Sequence, residues 1–301
     1  LYSGSTRLNT KLKGNQMETK IELNTSSCCS EIKITLCCES EPLELNDEGI
    51  KEQVKSRYAE AATTGSGCGC TAENPFNLDS YDEMDGYEVI ADLGLGCGIP
   101  TEQADILKGH DVLDLGSGGG IDAFVARTMV GPTGSVTGVD LTDEMVSLAR
   151  LNAGKLGYDN VRFLQGDIEN LPVEDASFDR IISNCVINLV PNKEKVFAEM
   201  YRALRLGGRF TVSDVVLDGE LPPAIRQSAE AYAGCVSGAV TREDYLNTIK
   251  RVGFFDVQVL KEHEVVLSDA DLAGLASPDE IAQFRNSGAR VVSLTFTGSR
   301  T

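Results

Sequence analysis

Asp114, Gly116, Gly118 and Gly120 fall at every second position in the stretch HDVLDLGSGGG, residues 110–120. Glycines at this spacing let the backbone turn sharply and let a ligand approach it closely. A helix starting just beyond them would offer unpaired N–H groups at its first turn. A dinucleotide fingerprint spaces its glycines G-x-G-x-x-G, and a pyrophosphate is poorly served by a carboxylate beside it. Asp114 instead suits a ligand that carries an ammonium group, such as an aminoacyl end.

Two more acids extend this chemistry. Asp140 closes the run SVTGVD and is placed to accept hydrogen bonds from both hydroxyls of a ribose. Asp167 follows the run VRFLQ, where its carboxylate can take an adenine amino group while Ile168 covers the ring. A third kind of chemistry is carried by sulfur. The chain holds nine cysteines and only two histidines. Cys97 sits between glycines in GLGCGIP, Cys185 follows directly on FDRIISN, and Cys235 lies in the glycine-flanked turn GCVSGA. Glycine on both sides and a nearby proline make Cys97 a poor site for core packing. The remaining cysteines are the vicinal pairs Cys28-Cys29 and Cys37-Cys38, and Cys68 and Cys70 in a glycine-rich loop. Vicinal cysteines can chelate a thiophilic ion.

The elements that must position these residues form an alternating α/β series. Val112, Leu113 and Leu115 read as a short strand buried on both faces. A helix is expected over Ile121–Val130, a second strand over Ser135–Asp140 and a helix over Asp143–Leu156, with Met145, Leu148, Ala149 and Leu156 inward. Strands follow over Val161–Gln165 and Phe178–Asn184, the latter running into Cys185. In open α/β sheets the ligand lies outside the carboxyl ends of the strands, so Cys185 is expected near the cofactor. A helix over Lys195–Leu206, stopped by Gly207-Gly208, leads into a strand over Arg209–Val216. Pro222-Pro223 opens a further helix, and Thr241 starts another with a capping pattern. Phe254–Leu260, Val265–Leu267 and Val291–Thr297 supply the last strands. Upstream, Ile50, Val54, Tyr58 and Ala61 share one face of a helix over Gly49–Ala62, and Met84–Leu93 reads as a short helix. Residues 1–48 read as a partly flexible extension with one short strand around Ile32–Leu36. The expected organisation is therefore 1–48 extension, 49–217 cofactor-binding core, and 218–301 a C-terminal part that completes the sheet and the cysteine site.

Composition bounds the partners. A net charge of −19 and a pI near 4.5 disfavour nucleic acid and anionic membrane as partners, since no basic patch is evident. No apolar run reaches the roughly 18 residues of a membrane span, and the expectation is a cytoplasmic enzyme. The odd number of mostly scattered or vicinal cysteines does not resemble a secreted disulfide framework, and paired C-x-x-C knuckles for zinc are absent.

With these residues in view the chain resembles the class I S-adenosylmethionine-dependent methyltransferases. It is more narrowly similar to the arsenite methyltransferases. The general likeness rests on Asp114–Gly120, Asp140, Gly166-Asp167 and Leu206-Gly207-Gly208, and the narrower one on the settings of Cys97, Cys185 and Cys235. The resemblance implies a Rossmann-like seven-stranded sheet of order 3-2-1-4-5-7-6 with helices on both faces. It implies S-adenosylmethionine contacts at Asp114, Gly116, Ser117, Gly118, Asp140, Leu141, Asp167, Ile168 and Asn184. It also implies trivalent arsenic held by Cys97, Cys185 and Cys235, with Cys68 or Cys70 joining redox cycling. The implied activity is methylation of arsenite and methylarsenite in arsenic detoxification, sustained by an external thiol of the glutathione or thioredoxin type. The alternatives are a small-molecule C- or O-methyltransferase and a non-catalytic metalloid-binding protein. His110 and His263 read as structural. Ile99 stands where the family commonly has Asn, which removes a contact near the cysteine loop.

Overall fold

Val112, Leu113 and Leu115 have no solvent exposure, as a strand covered on both faces requires. They lie in β1 (Asp111–Leu115), which pairs in parallel with β2 (Ser135–Asp140) on one side and β4 (Phe178–Asn184) on the other. The computed structural model describes residues 46–64, 79–222, 238–269, 272 and 276–301, all within one compact unit, Leu45–Thr301. Beyond β2 lies β3 (Val161–Gln165), and beyond β4 lie β5 (Leu204–Asp218), β7 (Arg290–Ser299) and β6 (Phe255–Val265). The order is β3-β2-β1-β4-β5-β7-β6, with β7 antiparallel to both its neighbours. This is the implied seven-stranded class I methyltransferase sheet.

Helices α2 (Ile121–Val130) and α3 (Asp143–Leu156) follow β1 and β2 with the expected bounds. The first helix, α1, runs Asp47–Thr64, two residues longer at each end than its apolar stripe predicts. Helix α4 covers Lys193–Ala203 and α5 covers Arg242–Val252, where the Thr241 side chain accepts a hydrogen bond from Asp244 N. Helix α6 (Pro278–Ser287) begins in a complete capping box between Ser277 and Glu280. Tyr245 of α5 packs edge-on against Phe197 and Phe296, joining α4, α5 and β7 into one aromatic core.

Four expectations need correction. Met84–Leu93 forms turns and one short 3-10 segment, Val89–Ala91, because Gly86 adopts φ +89 and breaks the helical path. Helix α4 ends three residues before Leu206: Leu204 turns extended and pairs with Phe178, while Arg205 reaches Asp111 and Asp179. The strand therefore begins at Leu204, with Gly207 at φ +77 inside the segment rather than ahead of it. In place of the two short strands expected over 254–260 and 265–267 there is one irregular edge strand, β6, which ends at Val265 and has register shifts along β7. The expected strand at Ile32–Leu36, the Cys68/Cys70 loop and the helix opened by Pro222-Pro223 lie outside the described residues, apart from Pro222 itself.

Candidate active site

The turn after β1 can exist only with glycine at its start. Gly116, Gly118 and Gly120 have φ of +67, +51 and +101, and a Cβ on Gly116 would stand 2.3 Å from Val186 Cγ2. The loop is pinned from β2. Asp140 Oδ2 accepts from Gly118 N at 2.9 Å, and Oδ1 accepts from Thr142 N at 2.9 Å. Asp114, 2% exposed, has an Oδ2 with no hydrogen-bond partner among the described residues, and Ser117 Oγ is in the same state. Burial pushes the Asp114 carboxyl well above its ordinary value, and the negative charges of Asp122 and Asp140 add to this. A buried acid of this kind is stabilised in its charged form by a cationic ligand. The orphaned acid and hydroxyl, beside a cradle that a Cβ would fill, fit the aminoacyl end of S-adenosylmethionine.

These groups line a cleft of about 1100 Å³, counted to its mouth, at the carboxyl ends of the parallel strands. Every cofactor residue named from the sequence reaches it: Asp114, Gly116, Ser117, Gly118, Asp140, Leu141, Asp167, Ile168 and Asn184. Asp167 is already engaged, its Oδ2 accepting from Lys51 Nζ at 2.6 Å and its Oδ1 from Glu169 N at 2.8 Å. Lys51 also bonds Glu169, and with Val54 and Tyr58 it brings α1 onto the cleft. Burial alone would lower the Lys51 pKa, but the two carboxylates outweigh it and hold it above the ordinary lysine value.

Sulfur enters from two directions. Cys185, at φ +57, occupies the left-handed region that costs a non-glycine residue about 1–3 kcal/mol. Its N–H donates to Ser213 O at 2.8 Å on β5, so the strained turn is held by the sheet itself. Cys97 arrives on the loop ahead of β1. Asn184 clasps that loop: its Oδ1 accepts from Cys97 N at 3.0 Å, and its Nδ2 donates to Gly98 O at 2.8 Å. Ser293 Oγ donates to Cys97 O at 2.5 Å from β7. A Cβ on Gly96 would lie 2.8 Å from Asn184 Nδ2, and one on Gly98 2.8 Å from Ser213 Oγ, which explains the glycines on either side. The loop is therefore packed tightly, and the expectation of a poor packing site fails: Cys97 is 1% exposed and Cys185 4%. Neither is in a disulfide.

One Sγ from each cysteine and a carboxylate oxygen of Asp214 all lie within 4.8 Å of one another. Asp214 on β5 is fully buried, and its oxygens accept from Tyr245 Oη at 2.8 Å and from Asn188 Nδ2 and Val215 N at 2.9 Å each. Burial pushes its carboxyl up to about 6, against the pull of the Tyr245 and Val215 hydrogen bonds. Cys185 also lines the cleft, and the Cys97 Sγ lies behind it, within 4.8 Å of its sulfur. Cys68, Cys70 and Cys235, together with the pairs Cys28-Cys29 and Cys37-Cys38, lie outside the described residues.

Sequence reasoning missed Asp122, Tyr81, Lys51 and Asp214. Asp122 accepts from Tyr81 Oη at 2.9 Å and Asn184 Nδ2 at 3.1 Å, and burial pushes its carboxyl up to about 6. The signal was an acid on the inward face of α2, directly after the glycines. Asp214 was equally visible as an acid inside the apolar run FTVSDVVL. Neither histidine lines the cleft. His110 Nδ1 accepts from Leu107 N at the opposite end of β1, and His263 lies on the edge strand.

Comparison with known proteins agrees with this geometry. Residues 106–253 match a family model described as a methyltransferase domain. The arsenite methyltransferase of Halobacterium salinarum is 42% identical over 235 residues, covering 72% of this chain and 60% of that protein. The arsenite methyltransferase of Mus musculus is 30% identical over 271 residues, covering 87% and 61%. The chain thus spans about 60% of the length of these curated relatives. A crystal structure of an arsenic(III) S-adenosylmethionine methyltransferase from Chlamydomonas reinhardtii superposes with a TM-score of 0.59 at 40% identity, covering 68% of each chain. An acid-lined cleft after β1, a thiol at its wall with a second beside it, and this likeness agree, and the chain belongs to the family of S-adenosylmethionine-dependent arsenic(III) methyltransferases.

Proposed function

We propose that this protein transfers methyl groups from S-adenosylmethionine to trivalent arsenic bound by its cysteine thiolates, converting arsenite to methylated arsenicals in arsenic detoxification. The observation that carries the reading is the convergence of Cys97 and Cys185, 88 positions apart by their numbers, to within 4.8 Å of each other, with Cys185 at the wall of the cofactor cleft. S-adenosylmethionine supplies an electrophilic methyl group on a sulfonium. Asp114 and Ser117 receive its aminoacyl end, Asp140 its ribose and Asp167 with Ile168 its adenine. Thiolates of Cys97 and Cys185, joined by Cys235, replace the hydroxides of arsenite.

Arsenic held in this way keeps its lone pair, so the acceptor needs no general base, in keeping with a cleft that no histidine lines. The contribution of the chain is then proximity and orientation. The left-handed turn at Cys185 and the Asn184 clasp on the Cys97 loop fix the sulfurs relative to the cofactor acids. Methylated arsenic is formally oxidised, and a thiol reductant of the glutathione or thioredoxin type restores the trivalent state, with Cys68 or Cys70 as the relay. One assay tests the reading: incubate the protein with labelled S-adenosylmethionine, a thiol and arsenite, and separate the products. Labelled methylarsenicals are expected. Label on an organic acceptor, or arsenic binding with no transfer, would overturn it.

A further inference from the structure

Asp214 is the group at the thiol pair that arsenic chemistry does not use. Trivalent arsenic is pyramidal and prefers sulfur, and a carboxylate oxygen is readily displaced from it by a thiol. Two sulfurs and one buried carboxylate oxygen are, however, a donor set that tetrahedral divalent zinc accepts. Zinc–sulfur bonds of about 2.3 Å and zinc–oxygen bonds of about 2.1 Å, set tetrahedrally, separate neighbouring donors by roughly 3.6–3.8 Å. The three donors here lie within 4.8 Å of one another, so closing on an ion asks each for a small shift. The carboxylate is also held as ligating carboxylates are, by outer hydrogen bonds that orient it. Tyr245 Oη and Asn188 Nδ2 supply them, from α5 and from the turn after Cys185.

We propose that Cys97, Cys185 and Asp214 form a site for a thiophilic divalent cation, Zn²⁺ or Cd²⁺, which competes with the trivalent metalloid for the same two sulfurs. On binding, each thiol gives its proton to solvent and its sulfur lone pair to the ion, with no change of oxidation state. Three anionic donors around a dication leave a net negative charge. The proposal rests on the two thiols being the arsenic ligands only in its competitive clause; the cation site itself stands on the Cys–Cys–Asp geometry.

The test titrates the full, reduced chain with Co²⁺ and with Cd²⁺, reading the thiolate-to-metal charge-transfer band. The component lost in Cys185→Ser defines this site against the other cysteines. For that component, Tyr245→Phe is expected to weaken cation affinity about tenfold, and Asp214→Asn by more. Arsenite affinity, measured by equilibrium dialysis on the same variants, is expected to be unchanged in Asp214→Asn, and arsenite is expected to abolish that component in the parent chain. Wild-type cation affinity in both Asp214→Asn and Tyr245→Phe would overturn the cation site, as would a charge-transfer band identical in Cys185→Ser and the parent. If Asp214→Asn does not fold, Tyr245→Phe alone decides. Simultaneous binding of Cd²⁺ and arsenite would overturn the competition. A chain with an Asp214-dependent cation site but no arsenite methylation would overturn the functional reading alone.

Discussion

The two halves of the cleft are built in different ways. On the cofactor side, Asp114, Asp140 and Asp167 stand at or just beyond the tips of β1, β2 and β3, so each acid is delivered by its own βα unit and the three arrive in chain order. On the sulfur side the parts come from distant places. Cys97 precedes the sheet, Cys185 follows β4 and donates to Ser213 O on β5, and Ser293 reaches Cys97 O from β7 across 196 positions. The first half depends on local spacing and needs only neighbouring parallel strands to pair. The second exists only once β4, β5 and β7 have closed beside one another. Cofactor binding and acceptor binding should therefore be separable by substitution, except where one residue joins them.

The sharpest break is predicted for the thiols. Cys97→Ser and Cys185→Ser are each expected to take arsenite methylation below detection while S-adenosylmethionine affinity, measured by calorimetry, is retained. Full turnover in either variant would remove that residue from the acceptor side. The reverse break is expected for Asp140→Ala, which removes the charged acceptor proposed for the ribose. A hydrogen bond to a charged group is worth about 1.5–3 kcal/mol, so cofactor affinity should fall by roughly one to two orders of magnitude. Arsenite binding should persist, and unchanged cofactor affinity would contradict the role.

Asn184 is the residue that joins the halves, since it lines the cleft and clasps Cys97 and Gly98. Asn184→Ala is expected to weaken both ligands and to lower stability by about 1–3 kcal/mol, because buried donors and acceptors lose their partners. An effect on one ligand only would mean the seam lies elsewhere. A smaller, pH-dependent effect is expected at Asp122. Its folded carboxyl titrates at about 6, above the ordinary aspartate value, so the native state holds this proton more tightly than the unfolded chain. Its contribution is full below pH 4 and is lost as pH rises through 6. Asp122→Asn does not titrate, so the variant should gain on the parent by on the order of 1–3 kcal/mol between those limits in denaturant unfolding. A pH-independent difference would contradict that burial.

The same division explains what could be read from the chain. The βα units around β1, β2 and β3 were legible because apolar runs, glycines and acids occur there at fixed local spacing. The clasp was not, since nothing in SNCVINL announces that Asn184 will meet a loop some 87 positions earlier. The setting of Cys97 suggested a poor site for core packing, but the glycines beside it serve to let side chains from β4 and β5 pack against the backbone, which buries it. Helix α4 was misjudged at its end, where pairing of Leu204 overrode helical propensity, and the helix expected over Met84–Leu93 does not form, because Gly86 breaks its path. Asp122 and Asp214 were visible as acids in apolar settings; their partners Tyr81 and Tyr245 were not.

X-ray absorption at the arsenic edge distinguishes sulfur from oxygen ligation, with arsenite bound to the reduced chain and to the Cys97→Ser/Cys185→Ser double variant. A first shell of sulfur is expected in the parent, with loss of sulfur from that shell in the variant. An oxygen first shell in the parent, or the same sulfur shell in both proteins, would contradict ligation by these cysteines.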